Sequence, residues 1–370
     1  LFYDFYMAPL NACSLESLDK PIETDNGSFW PLVASCYNLE DDGSRIGNLD
    51  LFLVKVPSSE DHGFKFGEPS FSKSYPSGIL DGKWLPSSKS KENQFWLATA
   101  QSSGEIFLHV FHLEESGKTT FKPISTSSSK ANAEAQSALC LALNWDTSRD
   151  FHNSRIVSSY SNGKAAVHDV ILRDSSNAPE LIQQESWDAH TLFGAPAEVW
   201  SCAFASDGAL IMTGADDATM KVWDPRILSR PVSTFNNHFE AGVTVISPHP
   251  RNSNLVAVGS YDEKVYIFDI RYSSQTLLSQ SSELGGGVWR IQWHPVKDDT
   301  ILLASMHAGA RVVTLHSNPD PYSNPSVKRE FLEHKSMTYG ATWLVTNDGL
   351  YEAAATCSFY DRACYIWRAD

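Results

Sequence analysis

The chain has 370 residues, 42% of them hydrophobic, with 11 tryptophans and a formal net charge of −15. That is longer than an ordinary domain of roughly 100–200 residues, and the acidic balance argues against a nucleic-acid binder, which shows a basic face. No apolar run approaches the roughly 20 residues needed to span a membrane, and the scattered Cys13, Cys36, Cys140, Cys202, Cys357 and Cys364 form no CxxC pair, as expected of reduced thiols in the cytoplasm or nucleus.

In chain order, residues 1–7 read as an aromatic strand, too short and too aromatic for a signal peptide. Segments 30–37 and 48–56 give two strands joined by an acidic loop at 40–45. Residues 57–78 are rich in Ser, Gly and Pro and are expected to form an extended flexible loop. Strands at 79–84, 95–99 and 105–113 follow, then a polar stretch at 114–137, nearly pure Ser/Thr over 125–129, expected to be flexible linker. Strands at 138–145, 155–159 and 164–170 form a third group. Those at 199–204, 209–213 and 220–224 form a fourth. It ends on Gly214-Ala215-Asp216-Asp217-Ala218-Thr219-Met220-Lys221-Val222-Trp223-Asp224-Pro225-Arg226. An acidic turn, a short alternating apolar run and Trp-Asp close one blade of a WD40 propeller in this way. A near copy, Gly259-Ser260-Tyr261-Asp262-Glu263-Lys264-Val265-Tyr266-Ile267-Phe268-Asp269-Ile270-Arg271, places Phe268 45 residues after Trp223, close to the repeat length of roughly 40–45.

Strands at 242–246, 255–259 and 264–270 then give a fifth group, 288–293, 301–305 and 310–316 a sixth, and 339–344, 352–357 and 363–368 a seventh. The chain stops after the third strand of the seventh group. Residues 1–7 supply a spare strand, and pairing them with 363–368 removes two open sheet edges at once. The expected fold is therefore an all-β, seven-bladed WD40 propeller, a single domain over 1–370 closed by its N-terminal strand. Six blades with an irregular N-terminal extension is the alternative.

His190, His238 and His334 stand 33, 30 and 33 residues before Trp223, Phe268 and Trp367. Asp217, Asp262 and Asp361 each stand six residues before the same aromatics. In such repeats this His bonds the turn Asp, so these are expected to be structural networks. The sixth group departs from the pattern. His307 occupies the Asp position, and Gly285-Gly286-Gly287, followed by Val288-Trp289-Arg290, replaces the preceding His. Such a loop either presents N–H groups to an anion or is a plain turn in a degenerate blade.

Here the sequence resembles a known family. Gly259-Ser260-Tyr261-Asp262-Glu263, the run Gly286-Gly287-Val288-Trp289-Arg290-Ile291-Gln292-Trp293-His294-Pro295, Met306-His307-Ala308-Gly309 and Ala355-Thr356-Cys357-Ser358-Phe359-Tyr360-Asp361 are similar to the WD40 family of diphthamide synthesis, diphthine methyl ester hydrolase. Older usage calls it diphthine methyltransferase. Trp187-Asp188-Ala189-His190 matches its Trp-x-Ala-His. The resemblance runs from about the third blade to the C-terminus. It implies action on translation elongation factor 2, whose modified histidine carries a methyl-esterified, trimethylated amino-carboxypropyl group. The ester methyl would leave as methanol.

The residues add chemistry to that implication. The chain has no Gly-x-Ser-x-Gly elbow and no His-Glu-x-x-His, and neither a metal nor a cofactor is expected. A quaternary ammonium is held by aromatic faces and carboxylates, for which Tyr261, Trp289, Tyr339, Tyr360 and Asp361 are candidates. His307 is the candidate general base, with Asp262 and Glu263 next in line. Gly286, Gly287 and Arg290 are candidate oxyanion donors. Ser260 and Ser358 follow strands in the repeat pattern, where structural roles are expected. A second class stays open: Trp223-Asp224-Pro225-Arg226 resembles the docking box of cullin-4 substrate receptors, with Trp223, Asp224 and Arg226 as the adaptor contact. Otherwise the arginines simply pair with acids on the lower rim. An inert scaffold is the third reading.

Overall fold

The computed structural model describes residues 3–57, 63–89, 93–114, 119–128, 138–150, 153–171, 179–271, 276–316, 322–346 and 351–369. Seven antiparallel sheets, six of four strands and one of five, stand around one axis, and a small two-stranded hairpin lies apart from them. Blade one runs outward from Asn11–Ser17 through Gly27–Leu39 and Arg45–Lys55 to Phe71–Tyr75, with Ile22–Thr24 paired to its second strand. Blades two to six begin at the axis with Ile79–Trp84, Cys140–Trp145, Ser201–Phe204, Val243–Pro248 and Arg290–Trp293. Blade seven begins with Thr338–Val345 and ends, after Ala363–Arg368, on Tyr3–Met7 from the opposite end of the chain.

The closing strand pairs as its pattern required, from Tyr3 opposite Trp367 to Met7 opposite Ala363. Residues 1 and 2 of the expected strand lie outside the described residues. Tyr6 turns inward from this strand, its ring against Phe52 and Phe66, and its hydroxyl donates to Asp50 at 3.1 Å. The apolar side chains divide into seven clusters, one in each seam between neighbouring blades. A sheet with two apolar faces must bury both, and a ring of sheets does so without a single central core.

Tryptophans at the lower ends of the inner strands lock the ring sideways. Trp84 donates its indole N–H to Glu16 O, Trp145 to Lys83 O, Trp293 to Ser247 O and Trp343 to Gln292 O, each across one seam at 2.9–3.3 Å. The closing seam uses Ser17, whose hydroxyl donates to Trp343 O at 2.8 Å.

Three strand expectations need correction. The innermost strand of blade one, Asn11–Ser17, was absent from the sequence reading. Its polar residues fill inter-blade bonds rather than marking a loop. The stretch 57–78 carries the outer strand Phe71–Tyr75, and 114–137 carries Thr120–Ser128. Outer strands are half solvated, so Ser and Lys alternate with Phe and Tyr and mimic a loop composition.

The His–Asp networks are also more varied than one rule allows. In blade four Trp223 donates to Thr213 Oγ1 at 2.8 Å, His190 Nε2 meets the same oxygen at 2.7 Å, and His190 Nδ1 meets Asp217 at 2.9 Å. In blade seven His334 reaches Asp361 only through Ser358. In blade five the closing aromatic is Phe268, which has no N–H to begin the chain. His238 packs on that ring, and Asp262 instead accepts the Tyr266 hydroxyl at 2.8 Å.

Candidate active site

On the face that carries the turns between second and third strands, the axis opens into a cavity of about 400 Å³. That volume falls within the range of small-molecule sites, roughly 300–1,000 Å³. Its mouth is aromatic. Trp200 and Trp289, each placed just ahead of an inner strand, have ring centroids 5.4 Å apart. Tyr339 lies 4.9 Å from Trp289. Tyr261 leans on both tryptophans at the rim, at 6.4 and 5.9 Å. Tyr37 completes the wall, linked to Tyr339 through Phe359. Burial raises the phenol pKa of Tyr37, Tyr261 and Tyr339, the last to about 12, so these phenols stay neutral.

Acids are placed within and behind this wall. Asp216 accepts the Trp200 indole N–H at 2.5 Å, fixing that ring, and its own backbone N–H donates to Glu198 O. Glu198 is one of the residues that line the cavity. Burial first, and then the neighbouring Asp216, push its pKa above the ordinary carboxylate value.

The floor is a buried charge cluster drawn from opposite sides of the ring. Asp81 accepts from Arg290 at 3.1 Å, from Ser14 Oγ at 3.2 Å and from Leu143 N–H. Lys83 pairs with Glu16 at 2.7 Å, and Gln292 donates to the same carboxylate at 3.2 Å. Glu16, Lys83, Asn144 and Gln292 also line a second cavity of about 280 Å³ at the lower end. The cluster therefore divides the channel into two chambers. Isolated buried charges are costly, and this set survives because each one has an opposite partner.

A family model described as nucleolar protein 10-like, N-terminal domain, matches residues 153–339. The diphthine methyltransferase homolog of Dictyostelium discoideum is 32% identical over 306 residues, covering 79% of this chain and 77% of that protein. The mouse diphthine methyltransferase is 30% identical, covering 89% of this chain and 69% of that protein. The chain belongs to the diphthine methyltransferase family. Its place is thus in diphthamide biosynthesis. Among solved structures, a chain of a mitotic checkpoint complex superposes with a TM-score of 0.64 at 17% identity, over 98% of this chain and 93% of that one. That likeness shows the fold alone.

Within this family member, Trp289, Arg290 and Tyr339 line the cavity and Tyr261 packs at its rim, as the sequence brought them together. Tyr360 is 67% exposed and reaches Tyr339 only through Phe359. Asp361 serves its turn, accepting from Ser358 and Lys335 N–H. Asp262 does the same in blade five, where Glu263 holds a left-handed turn conformation at φ 69°. Gly286 and Gly287 are buried away from the cavity wall. A Cβ on Gly286 would meet Ser305 O at 2.4 Å, so close packing on the 305–309 turn demands the glycine. His307 is exposed on that turn and is not among the residues lining the cavity.

Trp223 is buried in the structural network, and Arg226 pairs at 2.6 Å with Asp224 on the lower rim, as Arg271 does with Asp269 at 2.5 Å. Sequence reasoning missed Glu198, Trp200 and Asp216. The signal was present: Glu198-Val199-Trp200-Ser201 stands where Gly287-Val288-Trp289-Arg290 stands two blades later.

Proposed function

We propose that this chain hydrolyses the methyl ester of methylated diphthine on translation elongation factor 2, releasing methanol and leaving the carboxylate. The observation that carries the reading is an aromatic-walled cavity with a carboxylate in its wall and cations on its floor. A quaternary nitrogen donates no hydrogen bond and is recognised by ring faces and negative charge, as Trp200, Trp289, Tyr261, Tyr339 and Glu198 provide here. The ester carbonyl sits on the same carbon as that nitrogen. Arg45, Lys83 and Arg290 line the same cavity and are the cationic donors available there to a developing oxyanion.

The family name speaks of methyl transfer, and the two chemistries move mass in opposite directions. Modified elongation factor 2 is incubated with the chain and followed by mass spectrometry. Hydrolysis removes about one methylene unit and yields methanol, whereas methyl transfer adds one. Mass gain, or no change, refutes the hydrolase reading.

A further inference from the structure

We infer that Glu198 is the general base that takes a proton from the attacking water, with Asp216 as the residue that sets its basicity. The inference rests on the hydrolase reading above and names the group that does the chemistry.

Position is the first argument. Glu198 precedes Trp200 by two residues and shares the cavity wall with Trp200, Trp289 and Tyr339. In the proposed substrate the quaternary nitrogen and the ester carbonyl are borne by one carbon. Whatever holds the nitrogen in the aromatic mouth therefore brings the ester to the same wall, where Glu198 stands.

Elimination is the second. Among the described residues three acidic side chains belong to the cavity lining: Glu16, Asp81 and Glu198. Glu16 is held by Lys83 and Gln292, and Asp81 by Arg290, Ser14 and Leu143 N–H. A carboxylate held by a cation is a weak base, because the cation stabilises its charged form. Glu198 has no side-chain hydrogen bond or ion pair among the described residues. Among the described residues no histidine lines the cavity. Cys13 does, yet burial holds its thiol well above its usual pKa and its Sγ donates to Ile79 O at 2.9 Å. The Ser201 hydroxyl is occupied as acceptor of Ile246 N–H at 2.9 Å.

Tuning is the third. An ordinary glutamate is a poor base near neutral pH, and a raised one is better. Burial and the charge of Asp216 move Glu198 in that direction. Asp216 is held in place by the Trp200 N–H, so one residue orients a cage ring and raises the base beside it.

The step balances without a further reactant. Water loses a proton to the Glu198 carboxylate as its oxygen bonds the ester carbon. The tetrahedral oxyanion collapses, the C–O bond to the methoxy group breaks, and the proton on Glu198 passes to that oxygen. Methanol leaves, the new carboxylic acid loses its proton to solvent, and Glu198 is regenerated.

The test uses the full chain and modified elongation factor 2, reading methanol release against pH. Glu198→Gln keeps shape and removes the base. It should lower kcat by about 100–10,000-fold, the usual range for a general base, with a smaller rise in KM from the lost counter-charge, an unchanged melting temperature and no acidic limb in the remaining rate. Asp216→Asn still accepts the Trp200 N–H, and should shift the acidic limb of kcat/KM to lower pH. Turnover of Glu198→Gln within about 3-fold of wild type overturns the assignment, above all if His307→Asn abolishes release. A Glu198→Gln defect confined to KM overturns it too, making Glu198 a counter-ion only. An acidic limb unmoved in Asp216→Asn removes Asp216 from the scheme. A wild-type chain that releases no methanol defeats the hydrolase reading itself, which is a separate result.

Discussion

Trp289 is the ring on which the aromatic mouth turns, and its removal gives the sharpest test of the cage. It touches Trp200, Tyr261 and Tyr339, at centroid distances of 5.4, 5.9 and 4.9 Å. Each cation–π contact contributes roughly 0.5–2 kcal/mol, most for Trp. Trp289→Ala loses one such contact and the support of three neighbouring rings. A loss near 1.4–2 kcal/mol, or about 10–30-fold in affinity, is expected. Trp289→Phe keeps a ring and should lose only about 3-fold. Backbone anchoring survives both changes, because Trp289 N–H still donates to Ala304 O at 2.8 Å.

The assay is titration with choline, followed by calorimetry and by the fluorescence of the tryptophans in the wall. A neutral molecule of the same shape, 3,3-dimethylbutan-1-ol, separates charge recognition from hydrophobic burial. Wild type should prefer the cation by about 10-fold or more, and Trp289→Ala should narrow that gap. Equal affinity of wild type for the two molecules would refute the cage, since burial alone then accounts for binding.

Other expectations concern the scaffold. Tyr6→Phe removes the hydroxyl that donates to buried Asp50, which keeps Asn48 at 2.7 Å and Ser72 at 2.6 Å, so about 1–2 kcal/mol should go in urea unfolding. Tyr6→Ala should cost about 3 kcal/mol through its ring contacts in the closing seam; less than about 1 kcal/mol for both means the N-terminal strand does not hold the ring. His168 is buried with its pKa lowered by burial to about 4, while an unfolded His titrates near 6.5. The unfolded chain thus binds the extra proton, and stability should fall by up to about 3 kcal/mol as pH drops from about 6.5 to 4, with no further loss from this group below. His168→Gln should flatten that slope in melting experiments, and an unchanged slope refutes the assignment. Phe193 is fully exposed at the tip of a tight hairpin with φ 51°, next to Gly194 at φ 82°. Asn suits such a turn far better than Phe, so Phe193→Asn should stabilise by about 0.5–1 kcal/mol, and a lower melting temperature refutes this.

What the sequence disclosed followed from where repetition is strict. Trp223 and Phe268 are buried third-strand aromatics, and the 45-residue spacing between them set the repeat on which the other strand groups were aligned and counted. Closure was legible because the seventh blade lacks a fourth strand. Asn11–Ser17 was hidden because four of its seven residues are polar, serving bonds across seams such as Ser17 to Trp343 O and Ser14 to Asp81. At the site, the departure of blade six from the repeat drew attention to His307 and the glycines. A broken pattern marks a place where the usual network is absent, and here close packing explains the glycines. The cavity is built instead from positions just ahead of the inner strands and within them, where Trp200, Trp289, Tyr339 and Arg290 converge from different blades. Spacing along one blade carries no information about that convergence. The match of Val199-Trp200 to Val288-Trp289 marks the position of the Trp200 ring, but Glu198 stands there where blade six has Gly287, so its charge is seen only once the ring closes around it.

One consequence of an unpaired carboxylate in the mouth concerns what happens after chemistry. The proposed substrate enters as a cation, and the product is a zwitterion, a new carboxylate borne by the carbon that bears the quaternary nitrogen. Glu198 attracts the first and repels the carboxylate of the second. Like unit charges about 5 Å apart at an effective dielectric near 20 repel by about 3 kcal/mol. The floor cations cannot offset this fully, since Lys83 and Arg290 are already committed to Glu16 and Asp81. Product should therefore bind at least about 10-fold more weakly than ester, and product inhibition should be slight. Glu198→Gln should narrow the preference for ester over product by about 10-fold or more, because the attraction for the quaternary nitrogen is lost to both ligands and the repulsion of the carboxylate is lost for the product alone. Calorimetric titration of a trimethylated α-amino acid and its methyl ester against both chains reads this directly. If acid and ester bind alike to wild type, and the Gln variant leaves the ratio of their affinities unchanged, the carboxylate does not face the reacting carbon.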